Sequence, residues 1–161
     1  MTFSSKVMVS PPKGFIIHVK GPIDIDHFYK NAPPWFDRYK YDFTESEQIE
    51  KNFPQGNEII MGWLGERKIN DYVQYTIEVK ILIIGVKKVG NIYHGEIKIN
   101  LISHVDLDYA EQFQKNPFTK FLFYIYNNFI FKKKIIEHLN KLEKETLDFN
   151  DLIKSLLKHY R

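Results

Sequence analysis

The sequence predicts an α+β protein in which a curled antiparallel sheet of about five strands packs around a long C-terminal helix. Three observations support this class. Apolar and polar residues alternate along much of residues 58–109, which is typical of strands with one exposed face. Residues 116–158 read as helix and contain neither glycine nor proline after the first turn. Two short helical segments follow the first predicted strand.

The N-terminal part contains that strand and the two short helices. Residues 1–14 are polar and rich in proline near their end, so we expect a flexible lead-in, with residues 15–161 forming a single domain. Phe15–Val19 is predicted to be a strand. Asp24 is a good N-cap for a helix that must end before Pro33, and a second short helix begins at Pro34.

Four strands are predicted in the middle of the chain, at residues 41–51, 58–69, 72–86 and 93–109. Asn70-Asp71 and Gly90-Asn91 supply turn signals between the later ones. Joined by short connections, such strands form an antiparallel meander with one apolar face that another element must cover. Only the C-terminal helix is large enough to do so.

The C-terminal third changes character at Lys132–Lys134. Asn116 caps the helix start, and residues 118–131 are apolar on nearly every side, so we expect the rest of the chain to surround them. Residues 135–160 show a narrow seam of apolar residues three and four apart, which favours packing on the domain rim or on another chain. A break near Asp148 or Asn150 would instead fold the seam back.

Composition excludes several classes. The 161 residues are 43% hydrophobic and 27% charged, as in an ordinary globular domain. The chain has no cysteine, which excludes disulfides and thiolate metal sites. A net charge of +3 is too small to indicate nucleic-acid binding. Without a signal-peptide-like start or a membrane-spanning run, the sequence predicts a cytoplasmic protein, and no motif indicates catalysis, a metal or another cofactor.

The order of strand, two short helices, antiparallel strands and long helix resembles the helix-grip fold of START and Bet v 1-like carriers. The chain differs in having four long middle strands where six are usual, and Gly62, Gly65 or Gly85 are candidate bulges that would divide them. Residues 62–72, 106–109 and 116–122 are similar to an uncharacterised family of small archaeal proteins. That resemblance implies an archaeal, intracellular protein and no particular activity.

Three sets of residues are candidates for a site. The helix-grip resemblance implies a pocket for a small hydrophobic ligand between sheet and helix. His104, Asp106 and Asp108 share one strand face, which indicates a divalent-cation site, a set of acid-base groups or a solvated strand face. Arg67 lies on the same face of its predicted strand as the apolar residues. It therefore either binds an anionic ligand or pairs with a nearby carboxylate. The expected pocket lining is Trp63, Arg67, Tyr75, Phe121, Ile125 and Phe129.

Three functions follow from these patterns. The leading one is a non-enzymatic carrier or sensor of a small hydrophobic ligand. The second is an interaction protein that uses residues 135–160 to bind a second copy or a partner helix. The third is a peripheral membrane protein that uses residues 118–131 and the lysines after them. The sequence disfavours the third, because the apolar face of the predicted sheet needs that helix to cover it.

Overall fold

The computed structural model describes residues 5–89 and 92–157, and the predicted α+β class is confirmed. A six-stranded antiparallel sheet, one more strand than expected, is accompanied by two short helices after the first predicted strand and by a long C-terminal helix. The elements are β1 (Lys6–Met8), β2 (Phe15–Ile23), α1 (Ile25–Asn31), α2 (Pro34–Arg38), β3 (Asp42–Phe53), β4 (Gly56–Lys68), β5 (Val73–Val89), β6 (Ile92–Leu107), α3 (Pro117–Ile125), a π-helical turn (Tyr126–Ile130) and α4 (Lys132–Leu157).

The strands follow the order β1-β6-β5-β4-β3, and β2 also pairs with β6. The sheet is therefore open, with β3 at one edge. Part of the expected lead-in belongs to the sheet, because β1 pairs with residues 104–106 of β6. The predicted turn at Gly90-Asn91 lies outside the described residues.

The inner face of the sheet forms as the alternation predicts. The inward side chains of β5 are at most 1% exposed. They are Val73, Tyr75, Ile77, Val79, Ile81 and Ile83.

Gly85 does mark a bulge, since it has φ +66° and the pairing of β5 with β6 shifts between Ile84 and Lys87, yet the long strands stay undivided. Gly65 has a packing role instead, because a Cβ there would lie 2.4 Å from the ring of Phe36.

Helix α4 covers this inner face and contacts β6, β2 and α1. Ile135, Leu142 and Phe149, spaced seven residues apart, are fully buried. Burial of each such side chain contributes about 1.5–3 kcal/mol. Phe149 stacks on Trp35 of α2 with ring centroids 4.5 Å apart, so the short helices complete the core beside α4. The seam assigned from the sequence to the rim or to another chain thus lies inside this chain; its last residue, Tyr160, is outside the described range.

The expectation for residues 118–131 is wrong. We call residues 117–131 the aromatic segment; it comprises α3, the π turn and Phe131. Its start is as predicted, since Asn116 and Thr119 form a capping box. Its side chains, however, point largely to solvent: Phe118, Phe129 and Ile130 are 68%, 70% and 70% exposed. The physical reason is that α4 already occupies the inner face of the sheet.

The helical third is interrupted at Phe131 rather than near Asp148 or Asn150. The Phe131 N–H donates to the Tyr126 carbonyl, five residues earlier, and α4 begins immediately afterwards. Asp148 and Asn150 lie within α4, which continues through them. The seam therefore stays straight along one helix instead of folding back on itself.

Candidate functional site

The six residues predicted to line a ligand pocket fall into two groups. Trp63 and Tyr75 are buried in the core and Arg67 lies beside them, whereas Phe121 and Phe129 are 58% and 70% exposed. The sixth, Ile125, is half-buried. The structure does not bring the two groups together, because α4 lies on the sheet where the aromatic segment was expected. A hydrophobic-ligand pocket between sheet and helix stays a prediction.

Arg67 is paired with a carboxylate, as one of its two sequence interpretations states. Its guanidinium lies 3.0 Å from both carboxylate oxygens of Glu145 on α4. It also donates to the Tyr39 carbonyl over 2.6 Å and lies over the ring of Tyr41 at 4.7 Å. The Tyr41 hydroxyl donates to Glu145 as well. These contacts satisfy the arginine within the chain, which indicates a structural ion pair between β4 and α4.

Tyr75 and His138 continue this set of polar contacts towards the start of α4. Burial raises the pKa of the Tyr75 hydroxyl to about 12, with Arg67 opposing and Glu145 adding to the shift. Burial, with Lys141 and Lys134 nearby, lowers the pKa of His138. At neutral pH the hydroxyl therefore keeps its proton and forms a hydrogen bond with Nδ1 of the neutral imidazole, 2.6 Å away.

His104, Asp106 and Asp108 each have structural partners. His104 Nε2 lies 3.3 Å from Asp106, which also accepts a hydrogen bond from Thr76 over 2.8 Å. Asp108 adopts φ +54° and accepts the backbone N–H groups of residues 112 and 113, so it shapes the turn after β6. Among residues 5–89 and 92–157, no group of three or more metal-binding side chains is placed to hold an ion.

The aromatic segment is fixed to the body of the protein through Tyr72, next to the start of β5. The Tyr72 ring lies 6.3 Å from that of Phe123 and 5.8 Å from that of Phe131. Its hydroxyl donates to Asn127 Oδ1 over 2.6 Å, and Asn127 is fully buried. Phe123, Asn127 and Phe131 are four residues apart, so the π turn, which has more residues per turn than an α-helix, keeps all three on the side facing Tyr72.

The segment also carries large apolar side chains that are exposed to solvent, and we call this set the apolar surface. Its seven members are between 39% and 70% exposed. Soluble proteins expose single apolar side chains routinely, but a run of this kind in one short segment marks an interaction site. The members are Phe118, Phe121, Leu122, Tyr124, Tyr126, Phe129 and Ile130.

The charged residues within this stretch of the sequence all have one sign. Residues 112–136 carry five lysines and neither aspartate nor glutamate, although the chain as a whole has 23 basic and 20 acidic residues. Three of the lysines form the lysine turn, Lys132–Lys134, and all five are exposed. The remainder of the chain thus has a slight excess of acidic residues. This lack of acidic residues is readable from the sequence and is the signal that could have identified the site.

Comparison of the chain with protein-family models, with curated proteins and with solved structures finds no match. The resemblances to helix-grip carriers and to a family of small archaeal proteins therefore stay predictions. Within the part of the chain that the structure describes, no helix has both the length and the apolarity needed to cross a membrane. The site is accordingly interpreted from its own geometry and charge.

Proposed function

We propose that this protein is a peripheral membrane protein that binds an anionic lipid surface through the apolar surface and the lysine turn. One observation carries the proposal: seven large apolar side chains, exposed by 39–70%, lie beside exposed lysines in a segment without acidic residues. Interfacial helices combine these features, with aromatic and aliphatic side chains in the lipid boundary and basic residues against the head groups.

The apolar part of the segment suits the boundary between lipid and water. Its bulky members include Tyr124 and Tyr126, whose rings have a polar tip, and tyrosine is enriched at this depth. At 15 residues the segment is shorter than the about 20 residues that a spanning helix needs. It can therefore lie in the plane of the membrane with its Tyr72-facing side held by the protein.

Charge supplies the second part of the attraction. Each lysine near an anionic leaflet contributes about 1 kcal/mol, and five lysines surround or lie within the segment. Anionic lipids are concentrated in the cytoplasmic leaflet, which agrees with the cytoplasmic location predicted from the sequence. The remaining body of the protein, with its slight acidic excess, favours an orientation in which only this end faces the lipid.

The sequence disfavours this function because the apolar face of the sheet needs a helix to cover it. If residues 118–131 covered the inner face, they would not be free to contact lipid. In the structure α4 covers that face, with Ile135, Leu142 and Phe149 fully buried. Lipid binding by the aromatic segment would leave the core intact.

Co-sedimentation with vesicles tests the proposal. The wild-type protein should pellet with vesicles containing phosphatidylglycerol at physiological salt and stay in solution with neutral phosphatidylcholine vesicles. Replacing Lys132, Lys133 and Lys134 by alanine should weaken binding on the order of 100-fold, as expected for about 3 kcal/mol. The matched control replaces three exposed lysines of α4, Lys141, Lys144 and Lys154, by alanine. Its affinity for the vesicles should fall by less than about tenfold.

Two results would contradict the proposal. One is a wild-type protein that stays in the supernatant with anionic vesicles. The other is a stable dimer in light scattering, without lipid, that dissociates when Phe121 and Phe129 are replaced by serine, since the apolar surface would then be a contact between copies. Native mass spectrometry of the purified protein tests the predicted small-ligand carrier separately, through any ligand retained.

A further inference from the structure

Next to the apolar surface, the start of α4 borders an open groove of about 490 Å³. Phe129, Ile130 and Ile136 form its apolar part, and Lys132, Lys133 and Glu137 its polar rim. We propose that this groove binds one membrane lipid whose head group is a phosphomonoester, as in phosphatidic acid. The inference rests on the proposed membrane function and names the lipid that this end of the protein prefers.

The shape of the groove favours a lipid over a soluble ligand. Its volume is in the range of small-molecule pockets, but Phe129 and Ile130 are each 70% exposed, so the groove cannot enclose a free molecule on all sides. At a membrane, neighbouring acyl chains provide the missing wall. An occupant with an apolar chain and an anionic end therefore fits the groove only where the protein already contacts lipid.

The rim favours a doubly charged phosphate. Among the described residues, no carboxylate oxygen lies within 4 Å of the amino group of Lys132 or Lys133, whereas Glu137 lies 3.5 Å from Lys134. Lys132 and Lys133 both line the groove, so their flexible side chains can each donate to one phosphate held there, and two positive charges favour its doubly charged form. A phosphomonoester carries about −1.5 to −2 charges near neutral pH, whereas the phosphodiester of phosphatidylglycerol carries one.

The experiment compares vesicles containing phosphatidic acid with vesicles containing phosphatidylglycerol, mixed with phosphatidylcholine so that both have the same zeta potential. Wild-type protein should bind the phosphatidic acid vesicles about fivefold or more tightly. The variant with Lys132→Ala and Lys133→Ala should bind both kinds equally. The control with Lys141→Ala and Lys144→Ala removes the same charge and should keep the preference.

A soluble competitor distinguishes the lipid from free phosphate. Glycerol 3-phosphate at 10 mM should not release the wild-type protein from phosphatidic acid vesicles, because it lacks the acyl chains; full release would overturn the lipid assignment. Equal binding of wild type to both vesicle types would overturn the preference and leave the proposed membrane function standing. Binding to neither type would overturn both. Circular dichroism of each variant confirms that it is folded.

Discussion

The aromatic segment and α4 are consecutive in the chain, but the apolar residues of the first are mostly exposed and those of the second are largely buried. Ten of the 15 residues of the aromatic segment are apolar, yet most of them face solvent. Ten of the 26 residues of α4 are apolar, and the members of one stripe are buried against the sheet. Burial here follows the arrangement of apolar residues rather than their number, because an apolar stripe matches one face of the sheet and a helix that is apolar on all sides does not.

The largest expected effect is on the stability contributed by α4. Replacing Phe149, which is fully buried and packs on Trp35 and Phe36, by alanine should cost about 3–5 kcal/mol. The same change at Phe129, which is 70% exposed, should alter stability by less than about 0.5 kcal/mol. Urea unfolding followed by circular dichroism measures both, and a similar loss at the two positions would remove the contrast between the regions.

The strands and the helix start could be predicted because local patterns determine them. Alternation identified the inner face of β5 and the core position of Trp63, and Asn116-Pro117 identified the start of α3. The three-residue strand β1 was missed because Lys6–Met8 is too short to show alternation; its pairing with β6 depends on long-range contacts.

The choice between the two helices could not be made from local pattern. Residues 118–131 and the seam after them both suit a buried helix, and the change of pattern at Lys132–Lys134 does not by itself require a break at Phe131. At that break the ring of Phe131 packs on Tyr72, a residue distant in sequence whose proximity appears only in the folded chain. For the same reason, local pattern does not show that Phe121, Ile125 and Phe129, which are predicted to line a pocket against the sheet, lie on a different element from the helix that covers it.

A second test concerns the ion pair that links α4 to the sheet. Arg67→Met should cost about 3 kcal/mol, because it leaves Glu145, whose side chain is only 8% exposed, without its cation. Adding Glu145→Leu should recover most of that loss, since no unpaired charge then stays buried. A double variant as unstable as the single one would show that the pair itself, rather than its charge balance, holds α4 in place.

Unfolding at alkaline pH tests Tyr75, which belongs to the same set of polar contacts, and its expected effect on stability is smaller. The Tyr75 pKa is raised from 10.0 to about 12, so the folded state favours the protonated hydroxyl. The contribution of the protonated Tyr75 hydroxyl to the free energy of unfolding is fully present below pH 10 and is lost as the pH rises towards 12. Between pH 9 and pH 11, Tyr75→Phe should lose about 1 kcal/mol less stability than wild type in urea unfolding. Equal losses would contradict the assigned shift.

The smallest effect concerns the attachment of the aromatic segment. Tyr72→Phe removes the hydrogen bond to Asn127 and leaves a buried amide without its donor, at a cost of about 0.5–1.5 kcal/mol. Native-state hydrogen exchange should show faster exchange for amides of α3 and the π turn and unchanged exchange along α4. Faster exchange spread over both helices would mean that the two regions unfold as one unit.

The central claim, that the aromatic segment and the lysine turn rather than the C-terminal part of α4 contact the membrane, can be tested directly because the chain has no cysteine. Phe129→Cys and Ser155→Cys each provide a unique site for an environment-sensitive fluorophore, one on the apolar surface and one on an exposed position of α4. With phosphatidylglycerol vesicles, we expect a blue shift for the label at position 129 and no shift at position 155. A shift at 155 alone, or at neither position, would contradict the account.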